Sequence, residues 1–327
     1  MSWEKRIIDE DELLPFLPVK ADFRHRVIGL LAHQKQSWPM LREAIAGFGE
    51  IKSKKLWVKN SIVHAQYNPQ RIVSTSASVD AAAIKQRPCF LCPENLPPEE
   101  KGIDAGNDFV VLCNPFPVLK NHTVIAARRH IPQLIEGNFD LILDLSLDLG
   151  EEWFTLYNGP RCGASAADHL HFQACSREAL PIIPEIEIWE RRQIKQIGAI
   201  DAFTLQDYRI NLLAARSSER KVLFNWFNNA LNKLADVMKE TEEPMINMIV
   251  TYNDPRWTVI IFPRGKHRPS CYDAEGESRL TVSPAAIDLA GVLVVPKAED
   301  FARIKVGDVE KIYTEVSLDD ERFRRIC

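Results

Sequence analysis

The chain has 327 residues, 46% hydrophobic and 26% charged, a globular composition long enough for one large domain or two ordinary ones. Its 41 basic and 45 acidic residues leave a formal net charge of −4, which excludes a broad basic surface for nucleic acid. No stretch approaches the roughly 18 consecutive apolar residues of a membrane span, and MSWEKRIIDEDELLPFLPVK has no signal-peptide core, so a soluble, cytoplasmic protein is expected.

The first 54 residues read as a helical extension. Asp22 to about Gln36 sets Phe23, Val27, Leu30 and Leu31 on one face, and Leu41 to Phe48 forms a second short helix beyond Pro39. From Lys55 to Val79 the texture becomes β, cut by the Asn68-Pro69 turn signal. The proline-rich loop KQRPCFLCPENLPPEEKG follows, then two strands, FVVLCN and HTVIAAR, joined by PFPVLK. Pro132 opens a predicted helix from about Gln133 to Leu149, with Asp140, Asp144 and Asp148 on its wet face. WFTLYNG reads as a strand, RCGASAAD as a loop and HLHFQAC as another strand. Glu178 to Glu219 gives no clear pattern, whereas Glu219 to Lys239 is a strong amphipathic helix carrying Val222, Leu223, Trp226, Phe227, Leu231 and Leu234. HTVIAARRHIPQ is echoed by WTVIIFPRGKHRPS, each after a strand (FVVLCNPF, INMIVTYNDP), which reads as a degenerate internal duplication. The bland alternative is two look-alike strand-turn-strand units.

Chemistry concentrates in two places. In HLHFQ, strand alternation sets His169, His171 and Gln173 on one face beside the small-residue loop GASA. A neutral imidazole can attack phosphorus, an amide can donate to a non-bridging oxygen, and backbone N–H groups of such a loop approach anions closely. The competing reading is a half-exposed strand with two solvated histidines. The second place is Cys89-x-x-Cys92, with His122, His130 and His169 as candidate partners for a tetrahedral zinc. A closed four-ligand site would be structural, and the alternative is two buried thiols in a loop. Seven cysteines, an odd number in an apparently unsecreted chain, argue for reduced thiols rather than a disulfide framework.

The two motifs together resemble the histidine-triad (HIT-like) superfamily, specifically its transferase branch. That branch includes galactose-1-phosphate uridylyltransferase, diadenosine tetraphosphate phosphorylase and the GDP-hexose phosphorylases. HLHFQA looks most like the GDP-galactose phosphorylases, and MIVTYNDPRWTVIIFPRGKHRPS through SPAAIDLAGVLVVP looks like the C-terminal part of the diadenosine tetraphosphate enzyme. The likeness spans roughly residues 55 to 300. It implies an α+β fold of two related halves, with an antiparallel sheet and packed helices: residues 1–54 the extension, 55–215 the catalytic half, 216–327 the degenerate half.

By motif position, the resemblance implies that His171 is the nucleophile and that Gln173 holds a phosphoryl oxygen of a nucleotidyl-histidine intermediate. Ser165 and Asn158 would contact phosphates, and Asn114 would reach the ribose. From the residues themselves, Gly163 opens the GASA loop that could approach a phosphate, and Arg161, which enters that loop directly, is the preferred phosphate contact among the basic residues, with solvated surface charge as its alternative. Cys89, Cys92, His130 and His169 match the zinc set; His122 looks less suitable because it starts a strand. Asp168 departs from the Asn or Pro common before the first histidine. Lys120, Arg128, Arg129 and Arg177, and the cluster Arg264, Lys266, His267 and Arg268, are either phosphate contacts or solvated charge.

The expected function is nucleotidyl transfer from a nucleoside diphosphate sugar, GDP-hexose favoured, or a dinucleoside polyphosphate, to inorganic phosphate or a sugar 1-phosphate. A hydrolase on the same scaffold and a non-catalytic nucleotide sensor with structural zinc are the alternatives. No nucleic-acid or membrane partner is expected, and a homodimer stays open because the related enzymes include monomers and dimers. The sequence does not distinguish guanine from adenine or uracil.

Overall fold

The computed structural model describes residues 2–76, 84, 86–106, 108–197 and 199–327. Residues 77–79 of the predicted β region therefore lie outside the described residues. Two helices lead, α1 (Phe23–Ser37) and α2 (Pro39–Ala46). Asp22 caps α1 by accepting from the backbone N–H of His25, a device worth about 1 kcal/mol, and Pro39 fits the first turn of α2, where its missing N–H costs nothing. Strands β1 (Lys52–Val58) and β2 (Ser61–Tyr67) form a hairpin through Lys59 and Asn60, both left-handed as a tight hairpin turn demands.

Among the described residues the main sheet holds ten strands. The first five are β3 (Ile103–Ala105), β4 (Phe109–Cys113), β5 (Thr123–Ala127), β6 (Trp153–Asn158) and β7 (His171–Ser176), with helix α3 (Phe139–Leu149) between β5 and β6. After a short helix α4 (Ile182–Ile188) come β8 (Arg191–Ile197), β9 (Ile200–Leu205), β10 (Leu213–Ser217), helix α5 (Arg220–Met238), β11 (Ile246–Asn253) and β12 (Arg256–Pro263). All ladders in this sheet are antiparallel, in the order β3-β4-β5-β7-β6-β11-β12-β10-β9-β8.

Read outward from the central β6–β11 pair, the two sides repeat each other: β6-β7-β5-β4-β3 against β11-β12-β10-β9-β8. The duplication is thus visible in topology, but not in the pairing read from sequence. The counterpart of HTVIAAR in β5 is β10, and WTVIIFP in β12 stands in the position of β7, the strand that carries His171. Similar apolar runs had masked a shift of strand position. The expected division at 215/216 falls inside β10, whereas in the sheet β8 to β10 stand with the second set of strands. The predicted helix from Gln133 starts only at Phe139, because Gly137 takes a left-handed turn (φ 74) and residues 131–135 form no regular element, the Leu134 N–H turning back to the Pro132 carbonyl at 2.9 Å.

Each face of the sheet has its own core. On one face Phe172, Ala174, Trp153 and Tyr157 pack with α1, α3 and α5, where Phe139 stacks on Phe227 at 4.0 Å between ring centroids. On the other, Phe154, Leu156 and Cys175 pack toward the small sheet of β1, β2 and β13 (Val292–Val295), whose last strand runs parallel to β2. Since Phe172 and Ala174 point at the helices, alternation along β7 turns His171 and Gln173 to this second face. All cysteines among the described residues are free thiols, and no helix there is long and apolar enough to cross a membrane.

Candidate active site

The β6–β7 ladder ends at Leu156 opposite Gln173, and beyond it one side chain takes over. Gln133, fully buried, donates from Nε2 to the carbonyls of Asn158 and His171, each at 3.0 Å, and accepts at Oε1 from the His171 N–H at 2.7 Å. An amide has both donors and an acceptor, so it satisfies groups that no apolar residue could. Nothing in the sequence pattern flagged Gln133.

Strand β7 begins at His171, so His169 leaves from the preceding turn rather than from the strand itself. The His171 Nδ1 lies 2.8 Å from the carbonyl of His169, which can only accept, so Nδ1 carries the proton and Nε2 keeps its lone pair. Nε2 has no partner among the described residues, and burial pushes the ring's pKa down to about 4. A second chain of bonds orients Gln173. The Val118 N–H donates to His122 Nδ1 at 3.1 Å, so His122 protonates at Nε2 and donates to Gln173 Oε1 at 2.8 Å. The Gln173 amide nitrogen is thereby left as a donor toward the cavity. His122 does not reach the cysteines; burial and the nearby Arg71 push its pKa down to about 3.

Asn158 is oriented from the other half of the molecule. Its Oδ1 accepts from Asn247 Nδ2 at 2.8 Å and the Ala286 N–H at 2.9 Å, leaving its own nitrogen free for the cavity. Asn247 is in turn held by the fully buried Arg264, which also donates to the carbonyls of Pro284, Val316 and His267. Gly163 (φ 118) lies so close to the segment after β12 that a Cβ would stand 2.7 Å from that of Ala285. Asn114 Oδ1 accepts from the Phe116 N–H at 2.9 Å, closing the turn after β4.

Two cavities meet here, sharing Arg71, Ser74, Asn114, Ser165 and Gln173. The smaller, about 80 Å³, is polar and adds Asn158, Gly163, His267, Arg268 and Ser283. The larger, about 440 Å³, is mostly apolar and is walled on one side by His171. Arg161 lines neither, contrary to expectation: Glu240 holds its guanidinium at 3.1 Å and the Glu243 carbonyl at 2.8 Å. The basic cluster after β12 also splits. His267 and Arg268 face the polar cavity, Lys266 pairs with Glu315, and Arg264 is structural. Lys120 and Arg128 pair with Glu178 and Asp104, while Arg177 donates to the Glu151 carbonyl.

Beside His171, Cys89, Cys92, His130 and His169 bring one ligand atom each within 4.8 Å of one another. Sγ of Cys89 stands 3.2 Å from His169 Nδ1, and Sγ of Cys92 stands 3.3 Å from His130 Nδ1. Edges of a tetrahedron around zinc, from its usual bond lengths, are about 3.6 Å. The outer contacts suit ligation too: His169 donates Nε2–H to the Ala127 carbonyl at 2.7 Å, and His130 Nε2 faces Asp168 at 3.5 Å. Burial raises both thiol pKa values, so a bound cation is what would hold them ionised. The cluster can hold a metal ion. Arg6, unnoticed in the sequence, gathers the carbonyls of Pro93, Leu96, Pro97, Pro98 and Glu100 and so fixes the loop that bears Cys92.

Comparisons with known proteins bear on this arrangement. Residues 30–176 match the family described as a domain of unknown function (DUF4922), and residues 187–327 match the GDPGP1-like, C-terminal domain. The chain is 26% identical over 244 residues to GDP-L-galactose phosphorylase 2 of Arabidopsis thaliana, covering 68% of this chain and 52% of that protein. It spans about half the length of the curated relative it matches. Among solved structures, yeast Ap4A phosphorylase Apa2 superposes with a TM-score of 0.58 at 14% identity, covering 86% of this chain and 96% of that one. Apa2 in complex with Ap4A gives 0.55 at 14% identity, over 85% and 96%. At that identity the likeness is one of fold.

Proposed function

We propose that this protein is a nucleotidyltransferase of the phosphorylase type, acting on a nucleoside diphosphate sugar through a nucleotidylated His171. The observation that carries the reading is the His171 ring itself: proton held on Nδ1 by the His169 carbonyl, lone pair on Nε2, at the wall of a nucleoside-sized cavity. The curated relative is a GDP-L-galactose phosphorylase, which supports a GDP-hexose as donor. No aromatic Phe, Tyr or Trp ring lines the polar cavity among the described residues, which favours a sugar phosphate over the second nucleoside of a dinucleotide there.

In the first step Nε2 of His171 attacks the α-phosphorus, forming an N–P bond as the bond to the bridging oxygen breaks and the sugar 1-phosphate leaves. The Gln173 and Asn158 nitrogens donate to the phosphoryl oxygens, where negative charge gathers. Ser165 and Gly163 line the path of the phosphates, Asn114 faces the ribose, and Arg71 and Arg268 supply positive charge for the leaving phosphate. In the second step inorganic phosphate attacks the same phosphorus, the N–P bond breaks, and a nucleoside diphosphate is released. Ser165 and the other site residues inferred from sequence keep these roles except Arg161, whose part passes to Arg71 and Arg268.

We assign the Cys89, Cys92, His130 and His169 cluster to zinc, whose preference for two thiolates and two imidazoles it matches. Bound there, the ion would supply structural rigidity, with no open position for chemistry. His169 then ties the cluster to the carbonyl that sets the His171 tautomer.

Steady-state kinetics test the reading. Varying GDP-hexose and phosphate together should give parallel double-reciprocal lines, and His171→Ala should abolish turnover. Hydrolysis without phosphate at the full rate, or a fully active His171→Ala, overturns it.

A further inference from the structure

We propose that Glu100 selects the base of the nucleotide, taking guanine by accepting from its N1–H and exocyclic N2–H; this rests on the nucleotide reading above. The floor of the larger cavity is a row of cross-strand neighbours, Gln173 on β7, Val124 on β5 and Leu112 on β4. From β7 to β4 is two strand spacings, about 10 Å. Glu100 stands just before β3, the strand beyond β4, and lines the same cavity. The cavity therefore runs from the nucleophile to Glu100 over a distance comparable to a nucleoside monophosphate measured from phosphorus to base edge.

Its walls suit an aromatic ring. Met40, Val73 and Phe90 are 46%, 66% and 41% exposed, three large apolar side chains left uncovered around one cavity. Glu100 is the reverse, a carboxyl only 5% exposed whose oxygens have no hydrogen-bond or ion-pair partner among the described residues. Buried carboxyls are seldom left so, because the desolvation is uncompensated. None of the neighbouring cations bonds the carboxyl: Arg6, which attracts it from a distance, donates to loop carbonyls, while Arg71 and Arg87 donate to the Phe116 and Ser165 carbonyls and each keep a buried Nε without a partner. Asn95, on the same cavity, spends its nitrogen on the Cys89 carbonyl, which leaves its oxygen. This end of the cavity thus offers acceptors.

Of the four common bases, guanine alone presents two adjacent donors on its pairing edge, spaced for the two oxygens of one carboxylate. Adenine and cytosine set an acceptor beside their single amino group, and uracil flanks its one N–H with carbonyls. A donor pair also favours the ionised carboxylate that an empty apolar cavity disfavours.

Calorimetric titration of the full chain with GMP, IMP and AMP tests this. IMP differs from GMP only by lacking the 2-amino group. Wild-type protein should bind GMP roughly 10- to 100-fold more tightly than IMP, the worth of one hydrogen bond to a charged group. Glu100→Gln should bring the two within about threefold by removing that charged acceptor. Equal GMP and IMP affinities in the wild type, or an unchanged preference in Glu100→Gln, overturn the assignment while leaving nucleotide binding intact. The wild-type ratio decides the matter even where the variant fails to fold. Binding of none of the three monophosphates removes the nucleotide reading and this inference with it.

Discussion

Gln133→Leu keeps the volume of the side chain but removes every polar contact it makes. In the structure three backbone groups depend on that amide: the His171 N–H, the His171 carbonyl and the Asn158 carbonyl, all in a fully buried setting. A buried group stripped of its partner costs about 1–3 kcal/mol. Allowing for partial relaxation, the three together should destabilise the fold by about 3–6 kcal/mol, a large share of the 5–15 kcal/mol typical of a folded domain. The loss falls on the segment that bears His171, the proposed nucleophile, so geometry suffers as well. A displacement of about 1 Å at a reacting group commonly lowers the rate about 100-fold. Urea denaturation followed by tryptophan fluorescence reads the first effect, and phosphorolysis of GDP-hexose below the transition reads the second. A Gln133→Leu protein with the wild-type midpoint and wild-type kcat would refute the clamp.

Further expectations follow from the same geometry. His122→Phe breaks the bond that orients Gln173, so kcat should fall about 100-fold, the usual cost of losing one well-placed donor, with a smaller effect on KM; an unchanged kcat contradicts that role. Cys92→Ala should lower bound zinc from about one equivalent per chain to near none and reduce Tm, measured by elemental analysis and calorimetry; full zinc in the variant rules out the four-ligand cluster. Arg161→Ala breaks a half-exposed ion pair and should change stability by less than about 1 kcal/mol and leave turnover intact, whereas Arg71→Ala should cut kcat/KM roughly 10- to 100-fold; the reverse ranking would restore Arg161 to the site. Burial raises the Glu100 pKa from 4.5 to about 8, so the native state holds that proton more tightly than the unfolded chain and loses stability as pH climbs through this window, by up to about 5 kcal/mol. Glu100→Gln should therefore gain Tm over wild type at about pH 9 and show little difference at about pH 4.5; a pH-independent difference contradicts it.

Much of the fold could be read from local pattern. Asp22 before an apolar stripe marks the start of α1, and the apolar face of α5 was legible at Leu223, Phe227 and Leu234, with the buried Ala230 too small to stand out. The unread region held α4 and β8 to β10. β8, at the edge of the sheet, reads RRQIKQI, where charge dilutes the alternation that identifies a strand. At the site, motif spacing singled out His171, Gln173, Asn158, Ser165 and Asn114, which the fold brings to two adjoining cavities, and Cys89, Cys92, His130 and His169, which it gathers as one cluster. The residues that orient them left no such trace. Gln133 and Arg6 act through contacts between segments far apart in the chain and sit in local sequence typical of a loop or a strand end, while His122 stood out only as a candidate zinc partner and not for its bond to Gln173. Arg161 shows the converse error, since nearness in sequence to the phosphate loop did not decide where its guanidinium pointed.

The covalent role of His171 is the centre of the account, and intact-mass spectrometry under non-acidic conditions addresses it most directly. Incubated with GDP-hexose and no phosphate, the protein should gain the mass of one nucleoside monophosphate, lose it when phosphate is added, and gain nothing as His171→Ala. A protein that turns over the donor without ever carrying the adduct, or that carries it equally well as His171→Ala, would contradict the mechanism.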